Sequence, residues 1–137
     1  MRPAATGAGV RRADYDGGMS DTPGPTLFSR IVAREIPATI FAETETLIAF
    51  ADIAPKAPVH ILVVPKTEQY ANVVELAAGD PALLAELVAL ADTLAAEHSD
   101  GDFRLIFNTG AGAGQTVFHV HAHVLAGDLK EGSLGTF

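Results

Sequence analysis

The segment from residue 119 to residue 123 carries a histidine at every second position. The residues between and just after these histidines, Val120, Ala122 and Val124, are apolar, and the run is typical of a β-strand. Side chains alternate between the two faces of a strand, so we expect all three imidazoles on one face and the apolar side chains on the other. Imidazole titrates near neutral pH, and the chain has only five histidines. The segment therefore predicts a sheet with one apolar face and one face suited to chemistry.

Length and composition narrow the class of protein. At 137 residues the chain is long enough for one domain, and 48% of its residues are hydrophobic without an apolar run that could cross a bilayer. The chain has no cysteine, which excludes disulfides, thiolate catalysis and cysteine-based metal sites and favours the cytoplasm. A net charge of −8 argues against a nucleic-acid-binding surface. We expect a cytoplasmic protein that binds neither nucleic acid nor membranes.

The first 25 residues differ from the rest of the chain. They are rich in Gly, Ala, Pro, Arg and Asp, show no hydrophobic period and lack the apolar core of a signal peptide. This composition predicts a disordered N-terminal extension over residues 1–25, followed by a single domain over residues 26–137.

From Thr26 onwards the hydrophobic pattern predicts two helices and five strands. A short helix begins at its cap, Thr26, and ends before Pro37. A long helix runs from its cap, Asp80, with Pro81 at its first position, to His98. The five strands are predicted over residues 39–43, 47–52, 60–65, 103–108 and 117–125. The order of these elements indicates an α+β fold with a five-stranded, largely antiparallel sheet, one long helix and one short helix.

Two loops are candidates for chemistry. The loop over residues 108–116 has alternating glycines, which permit positive φ and let backbone N–H groups approach an anion. Taken alone it is more typical of a flexible connection, but it leads directly into the histidine segment, and this favours anion binding. Asp52 follows a hydrophobic strand, and its carboxylate could cap the strand end or accept hydrogen bonds from a ribose diol.

The histidine row admits a metal-binding and a nucleophilic interpretation. On an extended strand the Cα atoms of His119 and His123 would lie about 13 Å apart, so the three rings cannot easily converge on one zinc ion, although two could bind with His60 as an outside ligand. The alternative is a histidine that attacks phosphorus, flanked by two that orient it or bind charge. We favour the nucleophilic interpretation and expect no metal and no cofactor.

The segment His119–Leu125 matches the motif His-φ-His-φ-His-φ-φ, where φ is apolar, and resembles that of the histidine triad (HIT) superfamily. The whole stretch from Thr26 to Gly127 is similar to the Hint branch of that superfamily, the purine nucleoside phosphoramidases. The supporting segments are 27–28 with Ile31, 50–53 with the following Pro-Lys-Ala-Pro loop, His60, and Asn108 with 114–116. The resemblance implies a HIT-like fold and a HIT domain over residues 26–137.

The resemblance also implies a role for each matching residue. His121 would be the nucleophile that attacks the α-phosphate of a nucleoside 5′-phosphoramidate, with His119 and His123 orienting it and contacting phosphate, and His60 completing the cluster. The phosphate or leaving group would be bound by Asn108, Gly114, Gln115 and Thr116. The ribose would be bound by Asp52, and the purine by Ile53, Phe28, Ile31 and Phe50.

The expected function is therefore hydrolysis or transfer of purine nucleoside 5′-phosphoramidates, or of related adenylated compounds, through a covalent nucleotidyl-histidine. Dinucleoside polyphosphate hydrolysis is an alternative with the same chemistry. A purine nucleotide-binding interaction module with incidental turnover is an alternative of another class. The family resemblance implies a homodimer. Independently, the apolar stripe of the long helix and the alternation of Phe103, Leu105 and Phe107 favour a symmetric interface.

Overall fold

The computed structural model describes residues 24–130. Three helices are present in this range: α1 (Leu27–Val32), α2 (Val73–Gly79) and α3 (Pro81–His98). Five strands accompany them: β1 (Ile40–Glu43), β2 (Leu47–Ala51), β3 (Val59–Pro65), β4 (Arg104–Ile106) and β5 (Ala122–Ala126). The predicted N-terminal extension, apart from residues 24 and 25, lies outside the described residues, as do residues 131–137 of the predicted domain. Among residues 24–130 no helix combines the length and the apolar character that a membrane span requires.

The five strands form one sheet in the order β1-β2-β3-β5-β4, and every neighbouring pair is antiparallel. The last of the described strands, β5, is therefore inserted between β3 and β4. This arrangement confirms the predicted α+β class and the antiparallel sheet. It also gives β5, which carries His123, a neighbouring strand on each side.

Each face of the sheet carries its own core. On one face α3 packs through Leu83, Leu87, Ala91 and Leu94 against a cluster that includes Val120, Ala122 and Val124. On the other face α1 supplies Phe28 and Ile31 to a second cluster, formed with Ile48, Phe50, Leu62 and Val64. The predicted alternation is confirmed, because the apolar residues of the histidine segment face α3 and the imidazoles lie on the side of α1.

The helices follow local signals with one exception. Asp80 caps α3 by accepting a hydrogen bond from Leu83 N–H, and Pro81 occupies the first turn, as predicted. Helix α2, capped by Asn72, was not predicted from the sequence. It has seven residues and begins with two β-branched valines, which weaken any helical signal. Burial of Leu76 in the α3-side core stabilises it instead.

The predicted strand over residues 117–125 is too long, because β5 begins only at Ala122. Residues 117–121 lie outside the regular strand pairing and make other contacts. Val120 N–H donates to the carbonyl of Tyr70, and the ring of His119 bonds to the carbonyl of Pro65. The strand predicted over 103–108 is likewise reduced to β4, which pairs with β5 alone among the described strands.

Candidate active site

His121 lies immediately before β5 and is 9% exposed. Its Nδ1 is 2.8 Å from the backbone carbonyl oxygen of His119. A carbonyl only accepts hydrogen bonds, so Nδ1 carries the proton and Nε2 is the basic nitrogen of the neutral ring. The ring of Phe28 meets the imidazole edge-on, with centroids 4.8 Å apart. These contacts hold His121 in the tautomer and orientation that suit attack through Nε2.

His119 is fully buried and both of its ring nitrogens are engaged within the protein. Nε2 lies 2.6 Å from the carbonyl oxygen of Pro65, so this nitrogen must carry the proton and donate it. Nδ1 is then the acceptor, and the hydroxyl of Thr26, 2.7 Å away, donates to it. The resemblance implies a phosphate contact for His119, whereas here its ring ties α1 to the end of β3.

His60 and His123 form a second histidine pair, on β3 and β5. Lys56 N–H donates to His60 Nδ1 at 3.0 Å, so the proton of the neutral His60 ring is on Nε2. That Nε2 is 2.9 Å from His123 Nδ1 and 3.4 Å from a carboxylate oxygen of Asp52. The rings of His121 and His123 lie 5.2 Å apart. The structure thus brings Asp52, His60, His121 and His123 together, although His60 precedes His121 by 61 positions and His123 by 63 positions in the sequence.

Burial keeps this cluster neutral. Desolvation is the largest effect on all four histidines, and it lowers the pKa of His60, His119 and His121 below the ordinary value of 6.5. For His123, burial and then repulsion from the neighbouring His121 and His60 lower the pKa to about 4. A neutral imidazole keeps the lone pair that nucleophilic attack requires, so the site is ready for such chemistry at neutral pH.

The glycine-rich loop is closed by the side chain of Gln115, which is 3% exposed. Its amide oxygen accepts from Gly110 N–H at 2.8 Å, and its amide nitrogen donates to the carbonyls of Ala71 at 2.6 Å and Val117 at 3.0 Å. A short 3₁₀ turn, Ala111–Ala113, forms the tip of the loop. The resemblance implies that Gln115 binds substrate, and here its amide holds the loop in shape.

Of the other predicted substrate-binding residues, some are buried beneath the histidines and others lie at the protein surface. Phe28, Ile31 and Phe50 are buried together beneath the histidines, with the two phenyl rings 5.7 Å apart. Ile53 stands apart from them, because its side chain is 99% exposed beyond the end of β2. Asp52, at the same strand end, also accepts a hydrogen bond from Ala54 N–H.

At the glycine loop, Asn108 is half-buried, whereas Gly114 and Thr116 are exposed. Gly114 has a φ of +93°, a conformation that side-chain-bearing residues rarely adopt. This confirms that the loop uses the freedom of at least one of its glycines.

One group among the described residues has a donor set that could hold a metal ion, namely Asp52, His60 and His123, whose ligand atoms lie within 4.8 Å of one another. Two imidazoles and a carboxylate are a donor set that zinc accepts. His60 is the residue expected as the outside ligand in the zinc interpretation. In this structure, however, the two imidazoles are hydrogen-bonded directly to each other.

Sequence reasoning missed three contributors to the site. Thr26 was identified only as a helix cap, and nothing in the local pattern connects it to a histidine 93 positions away. The carbonyls of Pro65 and Tyr70 act through the backbone, for which a side-chain pattern gives no signal.

Comparison with known proteins agrees with this geometry. The family model described as the HIT domain matches residues 33–130. An uncharacterised HIT-like protein of Synechococcus elongatus is 46% identical over 104 residues, which is 74% of this chain and 90% of that protein. A 14 kDa zinc-binding protein of Zea mays is 36% identical over 107 residues, covering 75% of this chain and 82% of that protein.

A solved structure of a HIT family hydrolase from Clostridium thermocellum superimposes with a TM-score of 0.73 and 41% identity, covering 80% of this chain and 96% of that one. The family match extends from the end of α1 to the last described residue and includes all four site histidines. The chain belongs to the HIT family.

Proposed function

We propose that this protein is a nucleotide hydrolase or transferase that cleaves purine nucleoside 5′-phosphoramidates, or related adenylated compounds, through a covalent nucleotidyl-histidine on His121. The observation that carries the proposal is the fixed tautomer of His121, whose Nδ1–H is held by the His119 carbonyl. This contact presents Nε2 as the attacking atom and stabilises the charge that the ring acquires when Nε2 bonds to phosphorus.

The reaction takes place in two displacements. In the first, Nε2 of His121 bonds to the α-phosphorus, the P–N bond of the substrate breaks, and the departing amine takes up a proton from solvent. In the second, water attacks the phosphorus and releases a proton to solvent, the P–Nε2 bond breaks with its electron pair returning to the His121 ring, and the nucleoside monophosphate leaves with the water oxygen. His123 and His60 flank the phosphate as neutral groups, so they add no charge repulsion to the leaving group or to Nε2.

The remaining contacts are proposed from the family resemblance. Asn108, Thr116 and the backbone of Gly114 bind the phosphate or the leaving group, and Gln115 supports them by keeping the loop closed. Asp52 accepts hydrogen bonds from the ribose hydroxyls. The purine lies between the exposed Ile53 and the wall formed by Phe28, Ile31 and Phe50. The name of the Clostridium relative, a hydrolase, supports the reaction class.

The proposal is tested by replacing His121 with Ala and measuring turnover of an adenosine 5′-phosphoramidate together with binding of AMP. Turnover should fall by about 10³-fold or more while AMP binding persists, because only the attacking group is lost. His98→Ala is the matched control, since His98 is an exposed histidine at the end of α3 against Phe41, outside the cluster. A His121→Ala protein that keeps most of its activity would contradict the mechanism.

We also propose that the protein is a homodimer that pairs through α3 and β4. Val88 on α3 leaves 40% of its surface exposed, and Phe103, Leu105 and Phe107 are only partly buried at the sheet edge. A two-fold interface would cover this surface with one self-complementary patch. Light scattering should give twice the chain mass of 14.2 kDa, and a stable, active monomer would contradict the proposal.

A further inference from the structure

The contacts of Thr26 extend beyond capping α1. Its hydroxyl oxygen accepts the Ser29 N–H at 3.1 Å, which is the ordinary capping bond. The same hydroxyl is 2.7 Å from Nδ1 of the fully buried His119. A hydroxyl has one proton to donate, and the alternative acceptor, Ser29 Oγ, is at 3.5 Å. The proton therefore belongs to the bond with His119.

This bond is the first in a series of hydrogen bonds that leads from Thr26 to His121. Thr26 Oγ–H donates to His119 Nδ1, and His119 Nε2–H donates to the Pro65 carbonyl. The ring of His119 is thus held at both nitrogens, which fixes the backbone that bears it. The carbonyl of that same residue accepts the Nδ1 proton of His121 at 2.8 Å.

A second path from the same helix turn reaches the nucleophile. Phe28, two residues after Thr26, contacts the rings of both His119 and His121, with centroids 5.7 Å and 4.8 Å apart. Helix α1 has only six residues and is too short to be stable alone. Its position over the histidines therefore depends on the bonds that tie its first turn to the sheet.

We infer that Thr26 is a positioning residue for the nucleophile: by fixing the Nε2–H tautomer and the location of His119, it sets the carbonyl that keeps Nε2 of His121 free to attack. This inference rests on the proposed function for its kinetic consequence. It gives His119 a role without substrate contact, and it assigns a role in turnover to a residue outside the histidine motif.

Three variants separate positioning from helix capping. Thr26→Val keeps the shape of the side chain and removes both the capping bond and the bond to His119. Thr26→Ser keeps the hydroxyl. Ser29→Ala removes the other half of the capping box, in which Ser29 Oγ accepts from Thr26 N–H at 2.6 Å, and leaves His119 untouched.

For turnover of an adenosine 5′-phosphoramidate, we expect Thr26→Val to lower kcat about tenfold with KM changed less than twofold, because misalignment of the attacking atom affects the chemical step. Thr26→Ser and Ser29→Ala should both stay within about threefold of the wild-type kcat. Equal losses in Thr26→Val and Ser29→Ala would overturn the inference, since helix stability alone would then explain the effect.

A spectroscopic measurement keeps the inference testable without turnover. Long-range ¹H–¹⁵N spectra of the histidine rings report which nitrogen is protonated. The wild-type protein should show Nε2–H for His119 and Nδ1–H for His121, and Thr26→Val should broaden or shift the His121 pattern while Ser29→Ala does not. A wild-type His119 found charged or as Nδ1–H would overturn the inference, even if Thr26→Val fails to fold. If the wild type does not cleave phosphoramidates, the proposed function fails and these spectra still decide the role of Thr26.

Discussion

Replacing Gln115 with Met tests whether this side chain supports the loop or binds substrate. The change keeps the length of the side chain and removes three hydrogen bonds, to Gly110 N–H and to the carbonyls of Ala71 and Val117. Each such bond contributes roughly 1 kcal/mol, and the partners left behind are only partly buried, so we expect a loss of about 2–3 kcal/mol in the free energy of unfolding.

That loss is large enough to measure by urea unfolding followed by circular dichroism. With an m-value of about 1–1.5 kcal/mol/M for a domain of this size, the midpoint should fall by about 2 M. Protein concentration must be held constant, because the proposed dimer would make the midpoint depend on concentration. Thr109→Val is the control, since Thr109 lies in the same loop and is exposed, and its midpoint should stay within about 0.5 M of the wild type.

Kinetics on the same variants distinguish the two roles. If Gln115 supports the loop, a smaller fraction of the Gln115→Met molecules has a correctly arranged site. The lower urea midpoint is then seen in the absence of substrate. An unchanged midpoint together with a higher KM would refute our reasoning, because it would make the amide of Gln115 a ligand of the phosphate and not a support of the loop.

Three further predictions concern the pH dependence of stability, the binding of ribose, and the glycine loop together with metal. Lowering the pH from 7 to 5 should lower the urea midpoint, because burial lowers the pKa of four histidines in the native state, whereas in the unfolded chain they bind protons with the ordinary pKa of 6.5. The contribution of these neutral histidines to the free energy of unfolding is complete above pH 6.5 and is lost as the pH falls below that value. A constant midpoint would contradict this prediction. Asp52→Asn should weaken binding of ribonucleotides more than of their 2′-deoxy analogues, and equal losses in titration calorimetry would remove Asp52 from the sugar site. Gly114→Val should lower kcat/KM about tenfold or more, because valine is strained at a φ of +93°. EDTA should leave the rate of the wild-type protein unchanged, and activity that is lost on chelation and restored by zinc would contradict the phospho-histidine mechanism.

The sequence predicted those features that depend on neighbouring residues. The alternation at 119–124 correctly assigned the two faces of the strand, because the period of two is a local property of an extended chain. The cap and first turn of α3 were also predicted, since Asp80 and Pro81 act within one turn.

The features that were missed depend on distant partners. The strand begins at Ala122 and not at Val117 because the backbone of Tyr70 and Pro65 binds the preceding segment. Helix α2 forms because the core covers Leu76, in spite of its weak helical signal. The sequence suggested the meeting of His60 with His123 only through the zinc interpretation and the family resemblance, since local spacing carries no information about two residues 63 positions apart.

The insertion of β5 between β3 and β4 has a consequence for synthesis. A ribosome makes α1, β1, β2, β3 and β4 before the strand that joins β3 to β4, and until Ala126 has emerged β4 has no neighbour among the described strands. The bond between Thr26 and His119 likewise waits for a partner made 93 residues later. A nascent chain that ends before this segment therefore has neither the complete five-stranded sheet nor the hydrogen bonds that hold His119 and His121, so the same late segment completes the sheet and the candidate site.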